Sequence, residues 1–384
     1  MAFFLAPVLL RRTTPASGIF WCYANYINNR SQGETILIRL LSLVARKALV
    51  ASLVGLLWPG LSPAEEYFDK YGLTPASVPL DLGIQPLGYP SGLISAAMQH
   101  DRILKAALIT AGHPLMAHSF RRGADMVKPL AEQRLEAGLL GDMPTILAAA
   151  NGSVWIVGLV KQTSTAIVAK GNTTIQGLVG KRIAYVETSS AHHTLLQGLN
   201  SAGIKESEVK LVPMGIDAMP DALENGEIDA FAAWEPGPSI ALGKSAHNSI
   251  VFRGLSSDYF VIERNFFQRS PAASDALIAG YLRAIEWMRR SQKNIELAAA
   301  WAKADAEQLT GKPGVLPIGQ IVAITRREIL NVPSAPAILS NPNAPTLKTE
   351  FDFLSGQKKI PANGLWKNVE TALSFNGLAR IMAD

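Results

Sequence analysis

Four short stretches of the chain put hydroxyl, carboxylate, aromatic and glycine residues where a helix is about to start. They run from Gly88 to Gly92 (with Tyr89 and Ser91), Gly141 to Pro144 (with Asp142 and Met143), Thr188 to His192 (with Ser189 and Ser190), and Trp234 to Pro238 (with Glu235). Each follows an apolar run of strand length. A helix opening straight after a strand aims its unpaired backbone N–H groups and positive dipole end beyond the strand's carboxyl edge. Hydroxyls placed there complete a pocket for a small anion.

Each of these residues also has a structural role open to it. Ser189 and Ser190 suit a helix N-cap, and Gly88 to Gly92 suits a sharp turn. Trp234 suits a core, and Glu235 suits the start of a helix whose dipole it opposes. His192 could donate to an anion or act as a capping or solvated side chain. With His193 beside it, the two rings leave a helix about 100° apart and cannot chelate one metal as an i, i+4 pair can. No Ser/His/acid order, paired-carboxylate motif or phosphate loop stands out, so no catalytic residue, metal or cofactor is expected.

The elements that must position these turns alternate. Leu80 to Gln85 reads as a strand, followed by a long helical pattern through Leu93, Ala97, Leu104 and Leu108. Leu115 to Phe120 and Leu135 to Leu140 read as strands around a helix from Met126 to Arg134, and a further helix runs from Thr145 to Ala150, with Pro144 in its first turn and Asp142 as its cap. Val154 to Val160 and Thr165 to Ala169 are β-rich runs separated by polar residues. A second unit repeats the layout: strands at Arg182 to Val186, Val209 to Pro213 and Ile228 to Trp234, with helices after Ser190, at Ala218 to Asn225 and at Ser239 to Leu242. Ile250 to Phe252 and Asp258 to Ile262 are two more strands. Beyond Pro271 the pattern is helical, at Ala276 to Arg290, Ile295 to Leu309 and Pro317 to Leu330, and Pro333 to Pro345 is a proline-rich loop. The tail from Leu347 carries aromatics but no motif.

Charge is unevenly divided. Six of the 36 Lys and Arg residues and one of the 31 Asp and Glu residues fall in positions 1–64, which leaves 30 of each in the remainder. The basic balance belongs to the leader, and the rest has no electrostatic footprint for nucleic acid. Arg46 and Lys47 precede an apolar stretch, Ala48 to Leu57, too short to cross a bilayer, and Ser62, Pro63 and Ala64 are small residues of the kind a signal peptidase accepts. Residues 1–64 are therefore expected to be a leader cut near Ala64. Met1 to Ile38 is an unusual prefix; a start codon placed too early accounts for it, and a membrane-tethered extra helix is the second reading. Cys22 is the single cysteine, which excludes a disulfide framework and cysteine metal sites from the body.

The phrases LGYPSGLISAAM, LLGDMPTILAA, KRIAYVETSSAHHTLLQGL and IDAFAAWEP resemble the solute-binding proteins of ABC importers for sulfonates, nitrate and taurine, a group also similar to thiamine-pyrimidine binding proteins. The resemblance runs from about Asp81 to Thr310 and is nearest to the aliphatic-sulfonate branch. It implies an α/β architecture of the type II periplasmic-binding-protein fold, two α/β lobes joined by two crossing segments near Lys161 to Lys170 and Leu255 to Ile262. Lobe 1 would take residues 79–165 and 262–384, and lobe 2 residues 166–261. Sulfonate binders often add a pocket arginine; within the four phrases only Arg182 is available, at a strand start.

It further implies an exported, periplasmic monomer that captures a small anionic solute by hinge closure and delivers it to an ABC permease in the inner membrane. Gly88, Tyr89, Ser91, Gly141 and Asp142 would act from lobe 1, and Ser189, Ser190, His192 and Trp234 from lobe 2. Tyr89, Met143 and Trp234 would enclose the solute's apolar part. Asp142 and Glu235, if both face the cleft, point to an amino group on the solute, as in taurine or an aminopyrimidine, because two carboxylates repel a simple alkanesulfonate. Two rivals share the fold. A pyrimidine-synthase-like enzyme would need a cysteine cluster, and the effector half of a transcription regulator would need a DNA-binding domain in front.

Overall fold

The short apolar runs become the strands of one eight-stranded sheet: β1 Leu80–Ile84, β2 Leu115–Ser119, β3 Ala137–Gly141, β4 Val154–Lys170, β5 Arg182–Tyr185, β6 Lys210–Pro213, β7 Ala230–Ala233 and β8 Asn248–Glu263. The structure, a computed structural model, describes residues 63–73, 79–171, 173–330 and 346–373. The leader up to residue 62, with Cys22, and the proline-rich loop lie outside the described residues. The helices are α1 Pro63–Asp69, α2 Ser91–His100, α3 Arg102–Thr110, α4 Ala124–Ala131, α5 Asp142–Ala150, α6 Ser190–Ser201, α7 Met219–Glu224, α8 Gly237–Lys244, α9 Arg264–Arg269, α10 Pro271–Arg290, α11 Gln292–Thr310, α12 Ile318–Leu330, α13 Thr346–Gly356 and α14 Trp366–Ala372. No described helix is long and apolar enough to cross a membrane.

Strand order is β2-β1-β3-β8-β4-β7-β5-β6. β1 is parallel to β2 and β3, and β5 is parallel to β6 and β7, the pattern of two βαβ-built halves. Parallel strands covered by helices on both faces read as unbroken apolar runs, and β1 and β7 are buried along their whole length. In the second half, Leu195 and Leu199 of α6 pack on one face with Ile167, Ile183 and Ala232, while Met219 and Leu223 of α7 pack on the other with Ala184 and Phe231.

The halves are joined by β4 and β8, antiparallel to each other from Val154↔Glu263 to Lys170↔Asn248. β3 pairs only with the Asp258–Ile262 part of β8, and β7 only with the Ala166–Ala169 part of β4. The stretch between, Gln162 to Thr165 against Gly254 to Ser257, is a two-strand bridge with no third strand beside it. These are the two crossing segments of a two-lobed fold. Register shifts at Ile156/Gly158 and Leu159/Lys161 bend the ribbon at the lobe 1 end of the bridge.

Two expectations need correction. The paired β-rich runs at 154–169 and at 250–262 are single strands of 17 and 16 residues. The polar residues between the runs look like loops in the sequence, but they are the bridge, where the buried Thr165 and Ser256 hydroxyls meet Thr194 and Ser190 of α6 instead of apolar core. The long helix after Gly92 is two helices, because the Asp101 carboxylate accepts from the N–H groups of Ile103 and Leu104 and so caps a new start.

Candidate functional site

The carboxyl ends of β1, β3 and β5 and the end of β7 all open onto one cleft beside the bridge. Its lining includes Gln85, Gly88, Ser91, Arg122, Gly141, Lys161, Glu187, Ser189, Ser190, Trp234 and Asp258, around about 510 Å³ of space that is partly open to solvent. Both lobes contribute, and the bridge strands form the back wall.

That wall carries the charge. Lys161 is almost wholly buried, and its Nζ lies 3.7 Å from Asp258 Oδ1 on the facing strand. Ser91, at the first turn of α2, donates its hydroxyl to Asp258 Oδ2. Ser256 donates to Ser190 Oγ at 3.2 Å, so the Ser190 hydroxyl is met as an acceptor and its own hydrogen points elsewhere. Gly141 completes the group: a Cβ there would stand 3.7 Å from Asp258 Oδ1 and 3.9 Å from Ser190 Oγ, so the bare backbone leaves cleft space between them. On the rim, the Arg122 guanidinium is bonded to Asp125 at 2.5 Å, and that hydrogen bond raises its pKa further. Glu187 pairs with Lys359 at 2.8 Å, and this contact lowers its pKa.

The chain brings together Gly88, Ser91, Gly141, Ser189, Ser190 and Trp234, each of which lines the cleft. Ser189 has a local duty as well. It caps α6, accepting from His192 N at 3.3 Å, and donates its own hydrogen to Val186 O at 2.6 Å, which leaves Ser190 as the freer hydroxyl. Trp234 spans the lobes, its indole N–H donating to Leu87 O at 3.3 Å and its ring lying against Gly88.

The other five residues are placed elsewhere. Tyr89 is buried and lines a separate crevice with Pro236 and Ile216; its N–H donates to Glu235 O at 2.9 Å, a backbone tie between lobes, and burial pushes its phenol up to about 12. Glu235 accepts from Ser239 N and from Arg327, facing α8 and α12. Met143 is fully buried. His192 is packed between Tyr185 and Phe353, and burial lowers its pKa to about 4, so it is neutral and hidden.

Asp142 is also fully buried, behind the cleft. It opens α5 as the first helical residue, with Gly141 as the N-cap. Its carboxylate accepts from Met143 N at 2.7 Å and from Ser257 N at 3.1 Å, which ties α5 to the bridge strand one residue before Asp258. Desolvation raises its pKa despite those two bonds.

Lys161, Asp258 and Arg122 escape the motif reading. The sequence holds a signal for the first two: a single charge inside an otherwise uncharged β run, at VGLVKQTSTAIV and at LSSDYFVI. A charge in a strand that also pairs on both sides implies a partner across the strands. Arg122 supplies a cleft arginine from outside the four phrases, while Arg182 is occupied with Asp229, away from the cleft. Among the described residues no cluster of His, Cys, Asp and Glu could hold a metal ion.

A sequence profile of the family described as NMT1/THI5 like matches residues 124–295. The taurine-binding periplasmic protein of Escherichia coli (strain K12) is 27% identical over 255 residues, 63% of this chain and 78% of that protein. Among solved structures, the alkanesulfonate-binding protein SsuA from Xanthomonas axonopodis pv. citri bound to MOPS matches with a TM-score of 0.60 at 22% identity, over 79% of this chain and 100% of that one. The periplasmic aliphatic sulphonate binding protein SsuA from Escherichia coli matches with a TM-score of 0.60 at 19% identity, over 76% and 92%. These structural likenesses concern the fold.

Proposed function

We propose that the chain, similar in sequence to a taurine-binding and an aliphatic-sulfonate-binding periplasmic protein, captures a small sulfonate carrying an amino group and hands it to an ABC importer. It acts by binding, as its relatives' names state of them, and not by turnover. The observation that carries the finer reading is the mixed charge of the cleft: Lys161 and Arg122 against Asp258 in the wall and Glu187 at the rim, all lining one space.

A sulfonate spreads one negative charge over three oxygens and suits several moderate donors: the Ser190 hydroxyl, the first N–H groups of α6, and the two cations. An alkylammonium needs the reverse, a carboxylate in a low-dielectric wall, and Asp258 is the one that lines that wall. The amino-group argument that the sequence attaches to Asp142 and Glu235 thus passes to Asp258. Trp234 covers the short apolar link between the two ends. In this reading solute bound on one lobe recruits the other, and the ties Trp234 to Leu87, Tyr89 to Glu235 and Arg121 to Asp217 (2.7 Å) hold the lobes together around it.

The reading also places the protein in the periplasm as a monomer, with residues 1–64 removed near Ala64 and an inner-membrane permease as partner. A thermal-shift panel of taurine, ethanesulfonate, nitrate and an aminopyrimidine tests it. A solute at a hundred times its dissociation constant stabilises by about 2.7 kcal/mol. Taurine is expected to give the largest shift; a larger shift with the aminopyrimidine, or none with any sulfonate, contradicts the reading.

A further inference from the structure

The C-terminal segment is absent from every motif of the sequence, yet it touches both lobes. On lobe 1, α13 packs on α5, Leu365 N donates to Ala150 O at 3.1 Å, Asn368 Nδ2 donates to the same carbonyl at 2.7 Å, and Leu373 bridges to Ile156 of β4. On lobe 2, Phe353 of α13 packs against His192 and His193, with ring centroids at 5.9 and 4.6 Å, and Lys359 pairs with Glu187 at 2.8 Å. Between these contacts, Glu350 is driven inward. It is 6% exposed, its Oε2 is buried with no hydrogen-bond partner, and the neighbouring carboxyl is that of the fully buried Asp142.

Two carboxyls in contact away from water cannot both be charged, so the pair holds a proton. The surroundings favour keeping it. Asp142 already accepts from Met143 N and Ser257 N, so the donated hydrogen comes from Glu350. The other charged groups facing the pair are Asp258 of β8, which opposes further negative charge, and Lys161 of β4, which is itself paired with Asp258. From α6 the facing groups are His192 and His193, both held neutral by burial, and on α13 itself Lys348 and Asp352 pair with each other at the surface.

We propose that residues 346–373 form a strap that fastens lobe 1 to lobe 2 behind the cleft, with the proton shared by Asp142 and Glu350 as its catch. While the proton is present, Glu350 stays seated and α13 holds Phe353 and Lys359 on lobe 2. When it leaves, two adjacent carboxylates beside Asp258 repel, Glu350 moves to water, and the lobe 2 contacts go with it. Because Asp142 also grips Ser257, Glu350 is a positioning residue for the back wall of the cleft. The strap does not depend on which solute the cleft takes.

Amide hydrogen exchange of the full chain without solute, at pH about 5.5 and about 8 and corrected for the intrinsic rate, tests this. One proton controlling the opening makes exchange of residues 346–356 rise by up to about tenfold per pH unit from the pKa of a free carboxyl up to the raised pKa of the seated pair and level off above it, with residues 187–193 of lobe 2 rising alongside and β1 unchanged. Glu350→Gln, which keeps a hydrogen to donate and cannot ionise, is expected to remove that rise. Protection of α13 that is independent of pH, a rise that persists in Glu350→Gln, or opening of α13 with no response at 187–193 would each overturn the strap. Should Glu350→Gln fail to fold, infrared difference spectra of the wild type decide: a protonated-carboxyl band is expected at pH about 6, well above the ordinary carboxyl range, and its absence there overturns the catch.

Discussion

Replacing Asp258 by Asn separates the two ends of the proposed solute. In the wild type, Asp258 balances Lys161 at 3.7 Å inside a wall where the lysine side chain is 3% exposed. At an effective dielectric of about 20, the gross attraction at that distance is about 4 kcal/mol. Asn keeps the size and can still accept from Ser91, but it removes the charge. The folded chain is then expected to lose about 3 kcal/mol or more, the cost of leaving a buried charge without its partner. Binding should respond in opposite senses. A taurine ammonium loses a charge-assisted acceptor, about 1.5–3 kcal/mol, so its Kd rises about 10- to 150-fold. Ethanesulfonate has no ammonium, and it meets a lysine no longer neutralised, so its Kd holds or falls. Isothermal titration of both ligands on wild type and Asp258→Asn, with denaturant unfolding as the stability control, gives the ratio directly. An unchanged taurine-to-ethanesulfonate ratio would refute the assignment of Asp258 as the ammonium acceptor, whatever the stability loss.

Three further outcomes follow from single contacts. Ser189→Ala removes the cap of α6 and is expected to cost about 1 kcal/mol in urea unfolding while changing sulfonate affinity little, because Ser189 spends its hydrogen on Val186 O. At the bend of β4, a Cβ on Gly158 would overlap the Tyr281 ring and its hydroxyl, itself buried without a partner, so Gly158→Ala should cost about 1–3 kcal/mol, Tyr281→Phe should be neutral or stabilising, and the double variant should keep the Gly158 loss because the ring carbons beside the Cβ remain. Burial opposes charging of His118, but the Asp81 hydrogen bond and charge outweigh it and raise its pKa. Its contribution, about 1–3 kcal/mol, is therefore complete below pH about 6.5 and lost as pH rises through the raised value; His118→Gln should flatten that limb of the stability curve.

The strand-to-helix junctions were legible because local rules decide them. Ser189 caps α6 as its hydroxyl requires, and Pro236 and Pro238 open α8 where a missing N–H costs nothing. The crossing strands were only half legible. Val154 to Val160 and Thr165 to Ala169 carry the strand pattern, but the polar stretch between them is strand because β8 pairs with it, a long-range fact that no local pattern contains. The cleft charges were missed for the same reason: Lys161 and Asp258 lie 97 positions apart and acquire meaning from the register that sets them side by side. Conversely, His192 and Met143 sit in motif stretches but on faces turned inward, and helix phase, not residue type, decides that. Tail residues Glu350 and Phe353 gave no motif because their partners, Asp142 and His192, belong to two other parts of the chain.

The place where a zwitterionic sulfonate sits in the cleft is the most direct test of these roles. A crystal structure of the full chain grown with taurine is predicted to show its sulfonate facing Ser190, Arg122 and Lys161, its nitrogen within hydrogen-bond distance of Asp258, and the Trp234 ring over its carbons. Taurine found outside the space between the lobes, or bound there with its nitrogen turned away from Asp258, would contradict it.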